Sequence, residues 1–223
     1  MSYFNQRVAV LALSLMAVIP AFAASSSNAV SDFSSSNPSG NWSYGWIAPA
    51  APNDFQLLDT FHAGLPITGV DSWTSSEDAQ LLIAKNNGPD DASYNGMVQP
   101  ANLLLLQAGT DFWAALRWTA PADADYGIDS YMQNLRITNL EGDPVLVEIA
   151  INGVLQGSWM LADYGDTYYV SGSPLHFTEG DTVDYIVEAG GAGVAADIGS
   201  VPEPATVLLL GLGVLGMGLW KRR

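Results

Sequence analysis

The fold is decided by residues 145–161, VLVEIAINGVLQGSWML. Every second residue from Val145 to Ile151 is apolar, so these side chains share one face of a β-strand. Asn152-Gly153 follows, a pair that favours the tight turn of a hairpin because both residues accept a positive φ. Residues 154–161 can then return as the partner strand, so the stretch predicts an antiparallel β-hairpin.

The same pattern recurs on both sides of this hairpin. Turn residues at 179–181 lead into a segment whose apolar positions alternate from Val183 to Val187. No segment shows a long helical stripe, and glycines and prolines recur throughout. We therefore predict an all-β fold, an antiparallel β-sandwich of jelly-roll type over residues 41–188. Further strand candidates are residues 103–106, 111–119 and 126–138.

The segments that flank the predicted sandwich are poor in bulky apolar residues. Residues 24–40 are rich in serine and asparagine and are predicted to be flexible. Residues 189–200 are rich in glycine and alanine and are predicted to form a spacer.

The N-terminus has the parts of a secretory signal peptide, predicted to cover residues 1–23. Arg7 supplies the positive charge, and an apolar run from Val8 to Ile19 follows. That run spans about 18 Å as a helix, too short for a bilayer. Ala21 and Ala23 are the small residues that signal peptidase requires beside its cut, which predicts cleavage after Ala23 and export.

The C-terminus, residues 201–223, has a second membrane-directed pattern. Pro202-Glu203-Pro204 precedes an apolar segment at 205–220 that is predicted to be a single transmembrane helix. Lys221, Arg222 and Arg223 close the chain and predict a cytoplasmic end, which stops the segment in the membrane.

Together with the signal peptide, this tail resembles the PEP-CTERM sorting signal that exosortases read. The resemblance implies recognition of Pro202-Glu203-Pro204 by an exosortase, removal of the helix, and passage from an inner-membrane intermediate to the cell surface or extracellular matrix. It also implies a bacterium that makes exopolysaccharide. A plain single-pass anchor is the alternative, but it would not require the Pro-Glu-Pro.

Composition excludes several classes of function. The formal net charge is −16, and Lys85, Arg117 and Arg136 are the only lysines and arginines between the leader and the basic end. An acidic body repels nucleic acid, so no nucleic-acid partner is expected. The chain has no cysteine, which excludes disulfides, a cysteine nucleophile and thiolate metal sites.

Short motifs in the body resemble a β-sandwich module often found ahead of PEP-CTERM tails, with a layout like that of carbohydrate-binding jelly rolls. They lie in order at residues 37–46, 117–121, 151–153 and 179–184. The resemblance implies fold and location rather than a task.

A search for catalytic chemistry finds no motif that carries it. The nucleophile-elbow, zinc-protease and phosphate-loop patterns are absent, and the two histidines, His62 and His176, have no metal-ligand spacing. A glycoside hydrolase would need two carboxylates brought together from distant strands, and this stays a less favoured alternative. We expect no enzyme.

One acidic segment resembles a cation-binding loop. Asp123, Asp125 and Asp129 put carboxylates at spaced odd positions, as calcium loops do, although Asn134 stands where an EF-hand has its bidentate glutamate. An acidic turn that leads into a strand explains the same residues. Calcium is thus a secondary prediction, and no other cofactor is expected.

Trp42, Tyr44 and Trp46 alternate and share one face of a predicted strand. Outward, they would form a platform on which a sugar can stack; inward, they would be core, which large aromatics favour. The sequence thus predicts an exported, non-catalytic structural or adhesive surface protein associated with polysaccharide, with a carbohydrate-binding module as the alternative.

Overall fold

The computed structural model describes residues 26–137 and 144–201. All regular secondary structure within these residues is β. The strands, in chain order, are β1 Ser26–Asn28, β2 Trp42–Ala48, β3 Ala51–Leu57, β4 Thr60–His62, β5 Val70–Thr74, β6 Leu82–Asn86, β7 Ala92–Tyr94, β8 Met97–Gln99, β9 Leu104–Gln107, β10 Trp113–Thr119, β11 Ala124–Asn134, β12 Val145–Ile151, β13 Val154–Leu161, β14 Thr167–Ser171, β15 Leu175–Phe177, β16 Thr182–Ala189 and β17 Gly191–Ser200.

These strands pair antiparallel into two large sheets and one small hairpin. Sheet A has the order β14-β11-β17-β9-β6-β5-β4, with β1 beside β17 and β15 beside β11. Sheet B has the order β13-β12-β16-β10-β2-β3, and β7 pairs with β8 alone.

The two sheets face each other across one apolar core. Trp42, Trp118 and Tyr185 of sheet B are fully buried in it, together with Ile83 and Met132 of sheet A. Burying large aromatic rings between two sheets is a main source of stability in such folds. The predicted all-β, antiparallel sandwich is confirmed.

The hairpin at 145–161 forms as its sequence predicts. Partners run from Val145 opposite Leu161 to Ile151 opposite Val154, with a register shift between Ile149 and Ala150. The turn residues Asn152 and Gly153 have φ of 52° and 72°, the left-handed values that a type I′ turn requires.

The predicted spacer at 189–200 is wrong, because Gly191–Ser200 is the ten-residue strand β17 in the middle of sheet A. Its small residues leave room for close packing on the outer face of that sheet. A Cβ on Gly191 would clash with Met97 Sδ, and one on Gly193 would lie 2.7 Å from Leu103 Cδ1. Glycine is required here because neighbouring side chains leave no space for a Cβ, and not because the segment is a flexible linker.

The predicted flexibility of residues 24–40 is also wrong for their described part. Strand β1 pairs with β17, with Ser26 opposite Gly199. The Asn37 side chain donates to the carbonyls of Tyr44 (2.7 Å) and Leu58 (2.9 Å) and accepts from Tyr44 N (2.9 Å). Polar residues here satisfy backbone groups of the sandwich, so the polar composition did not signal disorder.

The signal peptide at 1–23 and the tail residues 202–223, with their predicted helix at 205–220, lie outside the described residues. Within the described ranges, no helix is long and apolar enough to cross a membrane. The jelly-roll connectivity also stays a prediction.

Candidate functional site

The alternating aromatic residues of β2, Trp42, Tyr44 and Trp46, are the possible sugar-stacking residues of the sequence analysis. Trp42 and Tyr44 are 0% exposed. Trp46 is half-buried and packs against Phe112, with ring centroids 4.3 Å apart. Buried rings cannot stack on a sugar, so Trp42 and Tyr44 take the core role that the sequence favoured over a sugar platform.

The three predicted calcium ligands are not gathered at one point. Asp125 and Asp129 lie four residues apart on the extended strand β11, a spacing of about 13 Å. Asp123 Oδ1 accepts a hydrogen bond from Glu179 N at 2.7 Å, and Asp125 Oδ1 lies 3.0 Å from His176 Nδ1. Across the described residues, no group of three or more acidic or histidine side chains could hold a metal ion. Calcium stays a prediction that this geometry does not support.

The two histidines lie in separate places. His62 Nε2 is 3.0 Å from Thr74 Oγ1 between the neighbouring strands β4 and β5. His176 is exposed on β15, beside Asp125. Neither has the buried acid partner of a catalytic histidine.

A carboxyl pair lies on the outer face of sheet B. Glu188 and Glu148 share a side-chain hydrogen bond where the register between β12 and β16 shifts. Burial raises the pKa of Glu188 to about 7, and the neighbouring Glu148 adds to the rise. Below that pKa the Glu188 carboxyl keeps its proton and can donate it in the hydrogen bond with Glu148.

A tyrosine pair with one exposed and one half-buried ring was missed by sequence reasoning. Tyr131 of β11 and Tyr169 of β14 are cross-strand partners on the outer face of sheet A, with ring centroids 5.6 Å apart. Tyr169 is 70% exposed. Asn102 Nδ2 donates to Tyr131 Oη at 3.2 Å, and exposed Asp129 lies on the same face two residues before Tyr131. We call Asn102, Asp129, Tyr131 and Tyr169 the outer tyrosine surface.

This surface combines the groups that sugars use: aromatic rings for stacking and amide and carboxylate groups for hydroxyls. The sequence signal was the alternation of Asp129 and Tyr131 in a strand. The surface is complete only in the folded chain, where the pairing of β11 with β14 places Tyr169 beside Tyr131.

A cavity of about 200 Å³ opens between the sheets near the edge strands β13 and β14. Its apolar lining includes Ile128, Ile149, Ile151, Val170 and Val183. Gln156 and Ser171 add polar groups, and no acid or histidine lines it.

The C-terminal tail leaves the sandwich at one end, from the last residue of β17. Strand β17 ends at Ser200, opposite Tyr126 of β11. Val201 N donates to Asp125 O at 2.7 Å, so the chain stays hydrogen-bonded to the sheet up to the residue before Pro202.

Residues 200–223 match the family model described as the PEP-CTERM protein-sorting motif. The resemblance of the tail is therefore confirmed, and the motif marks an exported protein sorted by an exosortase at the membrane. The match begins at the last residue of β17 and does not extend into the rest of the sandwich. A search of the curated proteins finds no match.

Solved structures give only remote likenesses. They include the GH26-CBM35 β-(1,4)-mannanase of Podospora anserina (13% identity, 51% of this chain and 25% of that one, TM-score 0.31). Another is the C-terminal CBM6 of LamC from Zobellia galactanivorans (10% identity, 60% of this chain and 89% of that one, TM-score 0.27). A third is CBM36 in complex with calcium and xylotriose (15% identity, 51% of this chain and 90% of that one, TM-score 0.26). The chain spans about a quarter of the mannanase. Likenesses this remote do not transfer a function.

Proposed function

We propose that this protein is a non-catalytic structural or adhesive component of the cell surface or of the extracellular polysaccharide matrix. Signal peptidase removes residues 1–23, and an exosortase then processes the tail. The observation that carries the proposal is the PEP-CTERM motif at 200–223, which continues directly from the central strand β17.

The non-catalytic assignment is supported by the placement of the acids. Glu148 and Glu188 are in hydrogen-bond contact, whereas glycoside hydrolases need carboxyl groups about 5 to 9.5 Å apart on either side of the bond. The pair lies on the outer face of a sheet rather than in the cavity between the sheets. A hydrolase is therefore not favoured.

The test is a fractionation of host cells that carry either the natural chain or a chain with Pro202, Glu203 and Pro204 replaced by alanine. We expect the natural protein at the surface or in the matrix, and the variant in the inner membrane. A matched control replaces the exposed Pro89, Asp90 and Asp91 by alanine and should sort normally. Equal distribution of all three proteins would contradict the proposal.

The alternative function, a carbohydrate-binding module with a defined sugar site, is favoured by one observation, the outer tyrosine surface. If a sugar stacks there, Tyr169→Ala lowers affinity for the host polysaccharide at least about tenfold, the loss typical of a central aromatic contact. Met160→Ala removes a side chain that is 66% exposed on β13 and serves as the control. Affinity can be measured by co-sedimentation or calorimetry; equal binding by the two variants would exclude this site.

A further inference from the structure

We propose that the folded domain stands on the membrane on one defined end, with its two termini leaving side by side toward the bilayer. The proposal rests on the proposed sorting function in one respect, because it takes the apolar segment 205–220 to lie in the membrane before processing.

The first step is the pairing of β1 with β17. The strands are antiparallel, and Ser26 lies opposite Gly199. Their Cα atoms are about 5 Å apart in such a pair. The chain that precedes Ser26 and the chain that follows Gly199 therefore leave the domain in the same direction. The signal-peptidase cut and the sorting motif lie at the same end of the molecule.

The second step is the short reach of the tail. Val201 is hydrogen-bonded to Asp125, and the apolar segment begins at residue 205. Four residue steps span at most about 14 Å, even fully extended. The exit point at Val201 therefore lies within about 14 Å of the hydrocarbon boundary.

The third step is the shape of this end. Strand β11 begins at Ala124, two residues beyond Tyr126, which lies opposite Ser200. Loops 121–123 and 178–181 extend further, and Asp123 and Glu179 join them by a hydrogen bond. They lie past Val201 by more than one residue step, about 3 Å, which uses part of the tail's reach. We call these two loops, together with the first residues of β11 and β16 (residues 121–125 and 178–182), the membrane-facing end.

The fourth step is charge. The membrane-facing end carries Asp123, Asp125, Glu179 and Asp181 and has no lysine or arginine. Carboxylates are repelled by anionic headgroups. This end therefore has no affinity of its own for lipid, and only the tail holds it there. Cutting the tail therefore releases the domain from the membrane. The exosortase that makes this cut must work in the narrow space between the loops and the bilayer.

The test uses the absence of cysteine from the chain, which makes single-cysteine labelling clean. Glu179→Cys places a fluorophore on the membrane-facing end. Asp111→Cys, also an exposed acid, places it in the loop next to Gly190 at the far end of β17. The chain without residues 1–23, labelled at one site, is reconstituted in vesicles with acceptor dyes on the lipid headgroups.

We expect strong energy transfer from position 179 and weak transfer from position 111, because the ten residues of β17 separate the ends by about 33 Å. A 12-residue Gly/Ser insertion between Val201 and Pro202 should make the energy transfer from positions 179 and 111 similar, because the domain is then free to tumble above the membrane. A chain that ends at Val201 should show transfer from neither site.

Equal transfer from both sites in the uninserted chain would overturn the proposal, as would strong transfer from the chain that ends at Val201. The assay contains neither exosortase nor polysaccharide. Loss of sorting or of matrix retention in cells, with the transfer difference intact, would therefore count against the proposed function alone.

Discussion

On the outer face of sheet B, the few charged side chains hold one another in place. Arg117 Nε and Nη2 donate to the two Asp184 oxygens at 2.6 and 2.8 Å, and the guanidinium lies 4.2 Å above the Phe55 ring. The Asp184 side chain is only 2% exposed and that of Arg117 22%. A bidentate pair of this kind is costly to break, because one charge is left without its partner.

Asp184→Ala is expected to lower the free energy of unfolding by about 3 kcal/mol, the cost typical of removing one partner from a buried pair. Adding Arg117→Met should restore much of the loss, since it removes the unpaired charge. Urea unfolding measures both. Asp129→Ala, an exposed acid of sheet A, is the control and should change stability by less than about 0.5 kcal/mol. A similar small effect of Asp184→Ala would contradict the structural role of the pair.

Glu188 predicts a pH dependence of stability. Its pKa is raised from 4.5 to about 7 in the folded chain, so between these values the folded state binds more protons than the unfolded state. The contribution of Glu188 to the free energy of unfolding is therefore intact below pH 4.5, falls as pH rises toward 7, and stays low above pH 7.

Glu188→Gln should consequently stabilise the protein at pH 8 and have little effect at pH 4. We expect about 1 kcal/mol at pH 8, a value that allows for solvent screening of a partly exposed group, or about 2–4 °C in Tm. Thermal unfolding at the two pH values measures it. A gain of equal size at both would show that the carboxyl pair does not cause the effect.

At the element scale, β17 decides whether the sandwich can form. It lies between β11 and β9, and it also carries β1. Val194, Ala196 and Ile198 of this strand are buried in the core. The strand therefore belongs to the domain, although its composition resembles that of a linker.

A chain that ends at residue 190 is therefore expected not to fold, whereas one that ends at Val201 should fold cooperatively. The signal peptide is left out of both chains. Near-ultraviolet circular dichroism and thermal unfolding distinguish the two outcomes, because the buried tryptophans of sheet B need the opposing sheet for a fixed environment. A cooperative transition in the shorter chain would restore the spacer interpretation.

The elements that were predicted from the sequence are those with a strong period of two. The pattern from Val145 to Ile151 and the turn at Asn152-Gly153 needed no tertiary information, because pleat geometry and positive φ are local properties. The glycines of β17 and the bonds of Asn37 depend on distant chain segments, so composition alone misassigned them. Tyr169 joined a site only through its partner Tyr131.

At the scale of the whole molecule, the two ends of the sandwich have different roles. One end holds Ser26 and Val201, the first and last described residues of the domain, and leads to the PEP-CTERM motif. The tail residues 202–204 were identified from sequence because that signal is linear. Their position directly after a central strand required the structure.

The central claim is that the tail is an exosortase signal joined directly to a folded domain. The most direct test is the intact mass and location of the protein in its host, with and without the exosortase. We predict a surface or extracellular species that lacks residues 1–23 and the segment 205–223, found only when the enzyme is present. A membrane-bound species that keeps its C-terminal segment in both strains would contradict the account and leave the tail a plain anchor.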